Sequence, residues 1–188
     1  LHHNKDNTVV LIALISNLAF LQLTGFASSA FAMWAPWTFV YYTWHLCDLL
    51  MHDATLIVNW VNSIFTTVTF NFGPRTLCFW HTNSGNLPFG WCAITMLGCF
   101  KPCLGGHLVL WDLKLIIDFP PGSMILIPSA ILRYSNTAIS KGERQYLFTQ
   151  YSSGGIFCWI DYGFQSSEDY WGGLAGKDLV QAQKEQSE

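Results

Sequence analysis

Phe119-Pro120-Pro121-Gly122-Ser123-Met124-Ile125-Leu126-Ile127-Pro128-Ser129-Ala130 is the stretch on which the fold turns. A Pro-Pro-Gly turn releases a short apolar run, Met124 to Ile127, and Pro128 stops it. Such a run is too short for a helix and is bounded as strands are bounded. Upstream, Gly105-Gly106 opens a candidate strand over 107–111, and another follows over 115–118. Working outward, β-branched and aromatic residues mark further candidates at 66–72, 76–80, 90–97, 131–133, 146–151 and 156–160. The separators are turn-rich: Gly73-Pro74, Ser84-Gly85-Asn86, Lys101-Pro102, Lys141-Gly142 and Ser153-Gly154-Gly155. Many short strands at this spacing predict a sandwich or barrel.

Before residue 66 the pattern is helical. Residues 28–47 read as a helix broken at Pro36, with Phe31, Trp34, Tyr41, Tyr42 and Trp44 on an aromatic face, and 53–65 reads as a second helix. These helices pack outside the strands, so the expected fold class is α+β, mostly β with flanking helices. At 188 residues, 51% hydrophobic and 16% aromatic, the chain supports one domain with a real core. It divides into an apolar segment at 1–24, a domain at 25–176 and a polar tail at 177–188, expected to be a frayed helix or disordered. The chain starts at Leu1 rather than Met, which reads as a fragment or a processed product.

A net charge of -3 with nine Lys plus Arg excludes a broad basic surface for nonspecific nucleic-acid binding. No Lys, Arg, Asp or Glu occurs from Asn7 to Cys47, and Val9 to Ile15 is apolar enough to suggest a membrane span. Asn17, Gln22, Thr24, Ser28 and Ser29 interrupt the run, Gly25 and Pro36 punctuate it, and no cationic cluster flanks it. A buried supporting segment is therefore expected instead. The six cysteines lie mostly in apolar runs and read as reduced structural thiols, which points to cytosol or nucleus.

Several stretches carry a resemblance: NFGPRT at 71–76, FGWCAIT at 89–95, GGHLVLWDLK at 105–114, FPPGSMILIPSA at 119–130 and FTQY at 148–151. Across residues 25–164 the chain resembles the transposon-associated TET/J-binding-protein oxygenase domains of mushroom-forming fungi, a family of Fe(II)/2-oxoglutarate dioxygenases. The resemblance implies a double-stranded β-helix (jelly-roll, cupin-like) core, Fe(II) and 2-oxoglutarate as cofactor and cosubstrate, and oxidation of methylated bases in DNA. It also implies DNA as a partner and a nuclear site of action.

In such enzymes two imidazoles and a carboxylate hold one face of the iron, and a cation meets the distal carboxylate of 2-oxoglutarate. By resemblance, His81 stands at the first metal-ligand position, Asn83 where the family has Asp, Tyr134 where it has His, and Arg144 at the cosubstrate anchor. A neutral amide is a weak oxygen donor, and a phenol must lose its proton before it binds iron well. The expectation is an impaired dioxygenase-like domain; a catalytically dead pseudoenzyme and a structural or membrane-associated protein are the alternatives. All four residues are expected to converge in one cleft. Trp91, Phe89 and Trp111 are expected in the core rather than as a base-stacking platform, and His45, His52 and His107 have no ligand role.

Overall fold

Asn17 caps the helix that begins at Leu18 by accepting a hydrogen bond from the backbone N–H of Ala19 at 2.9 Å. In this computed structural model, which describes residues 7–187, the helices are α1 (Thr8–Ile15), α2 (Leu18–Trp34) and α3 (Pro36–His52). Pro36 cannot continue α2 but suits the first turn of α3, so the expected break falls there. No single helix among the described residues is long and apolar enough to cross a membrane. The α1–α2 pair together passes that test of length and composition, but it bends by 62°.

The second helix expected at 53–65 does not form. The Asp53 carboxylate accepts from both the backbone N–H and the hydroxyl of Thr55, which turns the chain out of helical geometry. Side chains then hold the irregular backbone: Ile64 N–H donates to Ser28 Oγ at 3.0 Å, and Trp60 Nε1 donates to the Ile15 carbonyl at 2.8 Å.

Seven strands follow: β1 (Thr67–Asn71), β2 (Cys92–Cys99), β3 (Leu108–Leu110), β4 (Leu115–Ile117), β5 (Met124–Ile127), β6 (Tyr134–Asn136) and β7 (Arg144–Tyr151). They form two antiparallel sheets, a larger one in the order β1-β7-β2-β5 and a smaller one in the order β4-β3-β6. The sixth strand lies later than the 131–133 expected, because the chain turns after Pro128 with Leu132 N–H donating back to its carbonyl at 3.0 Å. Residues 76–80 form no strand; single bridges at Arg75–Gln145 and His81–Tyr134 tie that segment to both sheets.

Residues 156–160, expected as a strand, lie in α4 (Gly154–Asp161). Phe157 and Ile160 are both buried at helical spacing, and the helix is tied to α3 through Asp161. The carboxylate of Asp161 lies 2.7 Å from His45 Nε2 and accepts from Tyr41 Oη at 3.1 Å. Two further helices, α5 (Ser167–Gly173) and α6 (Gly176–Ser187), come last among the described residues; the polar tail is thus helical through Ser187.

Period-two alternation splits the larger sheet between two cores. Ile94 and Met96 of β2 join Leu108 and Leu110 of β3, Tyr134 and Leu147 between the sheets. Ala93 faces the other way, into a core built from Phe31, Tyr42, Phe65 and Phe157 under the helices. The result is three layers, helices on the large sheet and the large sheet on the small one. At the end of β2, Gly98 adopts φ +123° and lies so close to the Arg144 carbonyl that a Cβ there would collide with it.

Candidate functional site

Between the sheets lies a cavity of about 320 Å³. The larger sheet contributes Thr69 and Asn71 from β1, Ile94 and Met96 from β2, and Leu147, Thr149 and Tyr151 from β7. The smaller sheet contributes Leu108 and Tyr134 to Asn136, and the segment before β2 closes the rim with Cys78, His81, Asn83 and Asn86. Three of the four expected site residues, His81, Asn83 and Tyr134, therefore meet in one place.

Backbone pairing brings them together. His81 N–H donates to the Tyr134 carbonyl at 3.2 Å and Tyr134 N–H to the His81 carbonyl at 3.1 Å, while Asn83 N–H donates to the Ser129 carbonyl at 2.7 Å. The rings of His81 and Tyr134 lie 4.6 Å apart. Nδ1 of His81 faces the Phe79 carbonyl at 2.8 Å; a carbonyl only accepts, so Nδ1 carries a proton and Nε2 is the ring nitrogen left free of that contact.

The other two positions are engaged with each other. Asn83 Nδ2 donates to Tyr134 Oη at 2.9 Å, across 51 residues of sequence. Tyr134 is only 8% exposed, and burial pushes its phenol well above the usual tyrosine range. The neighbouring Cys92 adds to that rise, and the hydrogen bond from Asn83 offsets only part of it. The phenol is thus protonated at neutral pH.

Arg144 does not join them. It is exposed at the start of β7, across from Cys99, with its side chain on the strand face opposite Gln145, Leu147, Thr149 and Tyr151. The reason is register: an even-numbered residue of this strand points away from the cavity. The inward position beside it belongs to Gln145, which is fully buried and accepts from Asn136 Nδ2 at 3.3 Å. Among the described residues no Lys, Arg, Asp or Glu lines the cavity.

The donor set does not fit Fe(II) and 2-oxoglutarate. One imidazole nitrogen, one neutral amide and one neutral phenol lack the anionic carboxylate of a facial triad, and nothing in the lining matches a dicarboxylate. Among the described residues no three His, Cys, Asp or Glu side chains gather as a metal site.

Asn71, Asn86, Thr149 and Tyr151 were not among the expected site residues. The alternation of β7, with Leu147, Thr149 and Tyr151 on one face, is the signal that finds two of them and places Arg144 outside. Of the aromatic residues expected in the core, Trp91 stacks on Phe31 at 5.7 Å, but Phe89 and Trp111 stand exposed. Phe89 lies on the rim segment before β2, and Trp111 follows the short β3, where its Nε1 donates to Ser135 Oγ at 3.0 Å. His107 sits 3.5 Å from Asp118 and touches Thr137, away from the cavity lining.

No protein-family model matches the chain, and no curated protein matches it. Among solved structures, NgTET1 in complex with 5mC DNA superimposes with a TM-score of 0.64 at 16% identity, over 82% of this chain and 56% of its own. The viral collagen prolyl hydroxylase vCPH from Paramecium Bursaria Chlorella virus-1, solved as a 2OG complex, gives a TM-score of 0.33 at 14% identity, over 46% of this chain and 60% of its own. The chain thus shares its fold with NgTET1 while spanning little more than half of that structure's length.

Proposed function

We propose that this chain is a TET/J-binding-protein-like oxygenase domain on a double-stranded β-helix core whose metal centre has been dismantled, a pseudoenzyme rather than an active oxidase of methylated DNA bases. The observation that carries the reading is the Asn83 Nδ2 to Tyr134 Oη hydrogen bond, which joins two of the three expected ligand positions to each other. An iron at that point would have to break this bond and ionise a buried phenol, with no carboxylate to offset its charge. Arg144, expected to anchor 2-oxoglutarate, lies on the far face of its strand.

DNA as a partner belongs to the same reading, since NgTET1 was solved with 5mC DNA. With nine Lys plus Arg in the chain, such binding would rest on a local groove rather than on overall charge. The reading also carries a nuclear or cytoplasmic location with it.

Anaerobic Fe(II) titration with and without 2-oxoglutarate, followed by a decarboxylation assay on 5-methylcytosine DNA, tests the proposal. The expected result is no saturable iron uptake and no turnover. Stoichiometric Fe(II) binding with turnover would overturn it.

A further inference from the structure

We infer that the outer face of α3 is a self-association surface, on which the α3 of a second copy of this chain packs antiparallel about a two-fold axis. The inference goes beyond the oxygenase-like reading and stands without it, because it uses none of the cavity residues.

The helix is apolar on two opposite sides, which in a helix at the surface leaves one side without a partner. Its inner side, with Phe39, Tyr42 and Leu46, packs into the core under the helices. Its outer side carries Trp37, Val40, Trp44, Cys47 and Met51, all exposed. These five residues alternate steps of three and four along α3, the a and d positions of a heptad repeat, over roughly 21 Å of helix at 1.5 Å per residue. A repeat of this kind keeps a narrow seam in line with one partner helix. A bilayer selects no such seam: a helix lying on it needs a broad apolar face and a polar face opposite, and the side of α3 opposite the seam is in the core while Asp48 stands exposed at the seam's edge.

Side-chain size chooses the partner and its direction. Trp37, Trp44 and Met51, at the a positions, are large, and Val40 and Cys47, at the d positions, are small. A parallel second copy would set like against like, tryptophan against tryptophan. In an antiparallel copy each a position meets a d position: Trp44 comes level with Val40 of the second copy and Trp37 with its Cys47, and the two-fold axis repeats both contacts. Every such layer then puts a large residue against a small one, the arrangement that interdigitates. The seam is complementary to itself.

The area suffices for a modest dimer. At about 150–250 Å² for a whole aromatic side chain, Trp37 and Trp44, 87% and 66% exposed, offer roughly 230–380 Å² per copy. Taken over two copies, and with Val40, Cys47, Met51 and the side chains flanking them, the seam comes near the roughly 1,000 Å² that a specific interface needs. The seam itself contains no charged residue, so its burial leaves no ion without a counter-charge. An interface of this size predicts reversible association rather than a permanent dimer.

Sedimentation equilibrium of the full chain at rising concentration tests the inference. The mass should climb from 21.3 kDa towards twice that value. Trp44→Glu should hold it at the monomer while the circular dichroism spectrum stays native, and Val40→Glu gives the same reading if the first variant fails to fold. Ile116→Glu, which adds the same charge at an exposed site on β4 in the layer away from the helices, should dimerise like the parent chain. Direction is read by mild oxidation and peptide mapping: Trp37→Cys should give a reducible dimer linked to Cys47 of the second copy, whereas the parent chain should form no link between two Cys47 residues. A parent chain that stays monomeric, or a dimer that survives Trp44→Glu, overturns the inference. A link between two Cys47 residues in the parent chain means a parallel pair and overturns the antiparallel arrangement. Monomer that binds phosphatidylcholine vesicles, and loses that binding with Trp44→Glu, gives this face to a bilayer and overturns it too.

Discussion

Deleting a single oxygen, by Tyr134→Phe, isolates the contact on which the functional reading depends. The ring is buried among Cys92, Leu108, Leu110 and Leu147 and stays in place, so packing is kept and only the acceptor for Asn83 Nδ2 is lost. A neutral hydrogen bond of 2.9 Å contributes about 1 kcal/mol, in the range of roughly 0.5–1.5. In a chain of 188 residues that corresponds to a fall in Tm of about 2–4 °C. Tyr134→Ala removes the ring as well and should cost about 3–5 kcal/mol, the range for large aromatic truncations in a core. Combining Tyr134→Phe with Asn83→Ala in a double-mutant cycle, followed by urea denaturation, separates the pair from its surroundings. The coupling energy should be about 1 kcal/mol. A coupling indistinguishable from zero, or a Phe variant as damaged as the Ala variant, would refute the claim that these two positions are bonded to each other.

Four further outcomes are expected. Asn83→Asp with Tyr134→His should create measurable Fe(II) binding, and either change alone should do less, because a facial triad missing one member holds iron poorly; anaerobic titration of all four forms reads this. Arg144→Ala should change stability by no more than about 0.5 kcal/mol, and a larger loss on denaturation would mean that the side chain is not at the surface. Thr95→Val should raise stability by about 1 kcal/mol in a thermal melt, since the Thr95 hydroxyl is fully buried with no hydrogen-bond partner. Tyr41, Tyr42 and Tyr134 all have phenols raised mainly by burial, and a raised folded pKa means that the stability they contribute is complete below the ordinary value near 10 and is lost as pH rises beyond it. Spectrophotometric titration should therefore show these three ionising only together with alkaline unfolding.

Local chemistry was legible in the sequence wherever the signal was local. Pro-Pro-Gly and Pro128 bracket β5 at the expected residues, Pro36 separates α2 from α3, and the double glycine precedes β3. The His81, Asn83 and Tyr134 cluster was legible only through a resemblance, because 51 residues separate Asn83 from Tyr134 and no periodicity links them. Tertiary structure decided the rest. Residues 53–65 have helical composition, but an Asp53–Thr55 turn and anchoring by Ser28 outweigh propensity; residues 156–160 are rich in strand formers, yet Phe157 and Ile160 find their burial against α3 as a helix. Arg144 sits at the expected spacing, but side-chain direction in β7 is set by which face of the sheet meets the inner core, and that pairing with β1 and β2 comes from strands distant in the chain. Sequence alone thus singled out His81, Asn83 and Tyr134 as residues for one cleft, which is where the structure brings them. Only the packing of two sheets decided that Asn83 and Tyr134 would bond to each other and that Arg144 would lie outside the cavity.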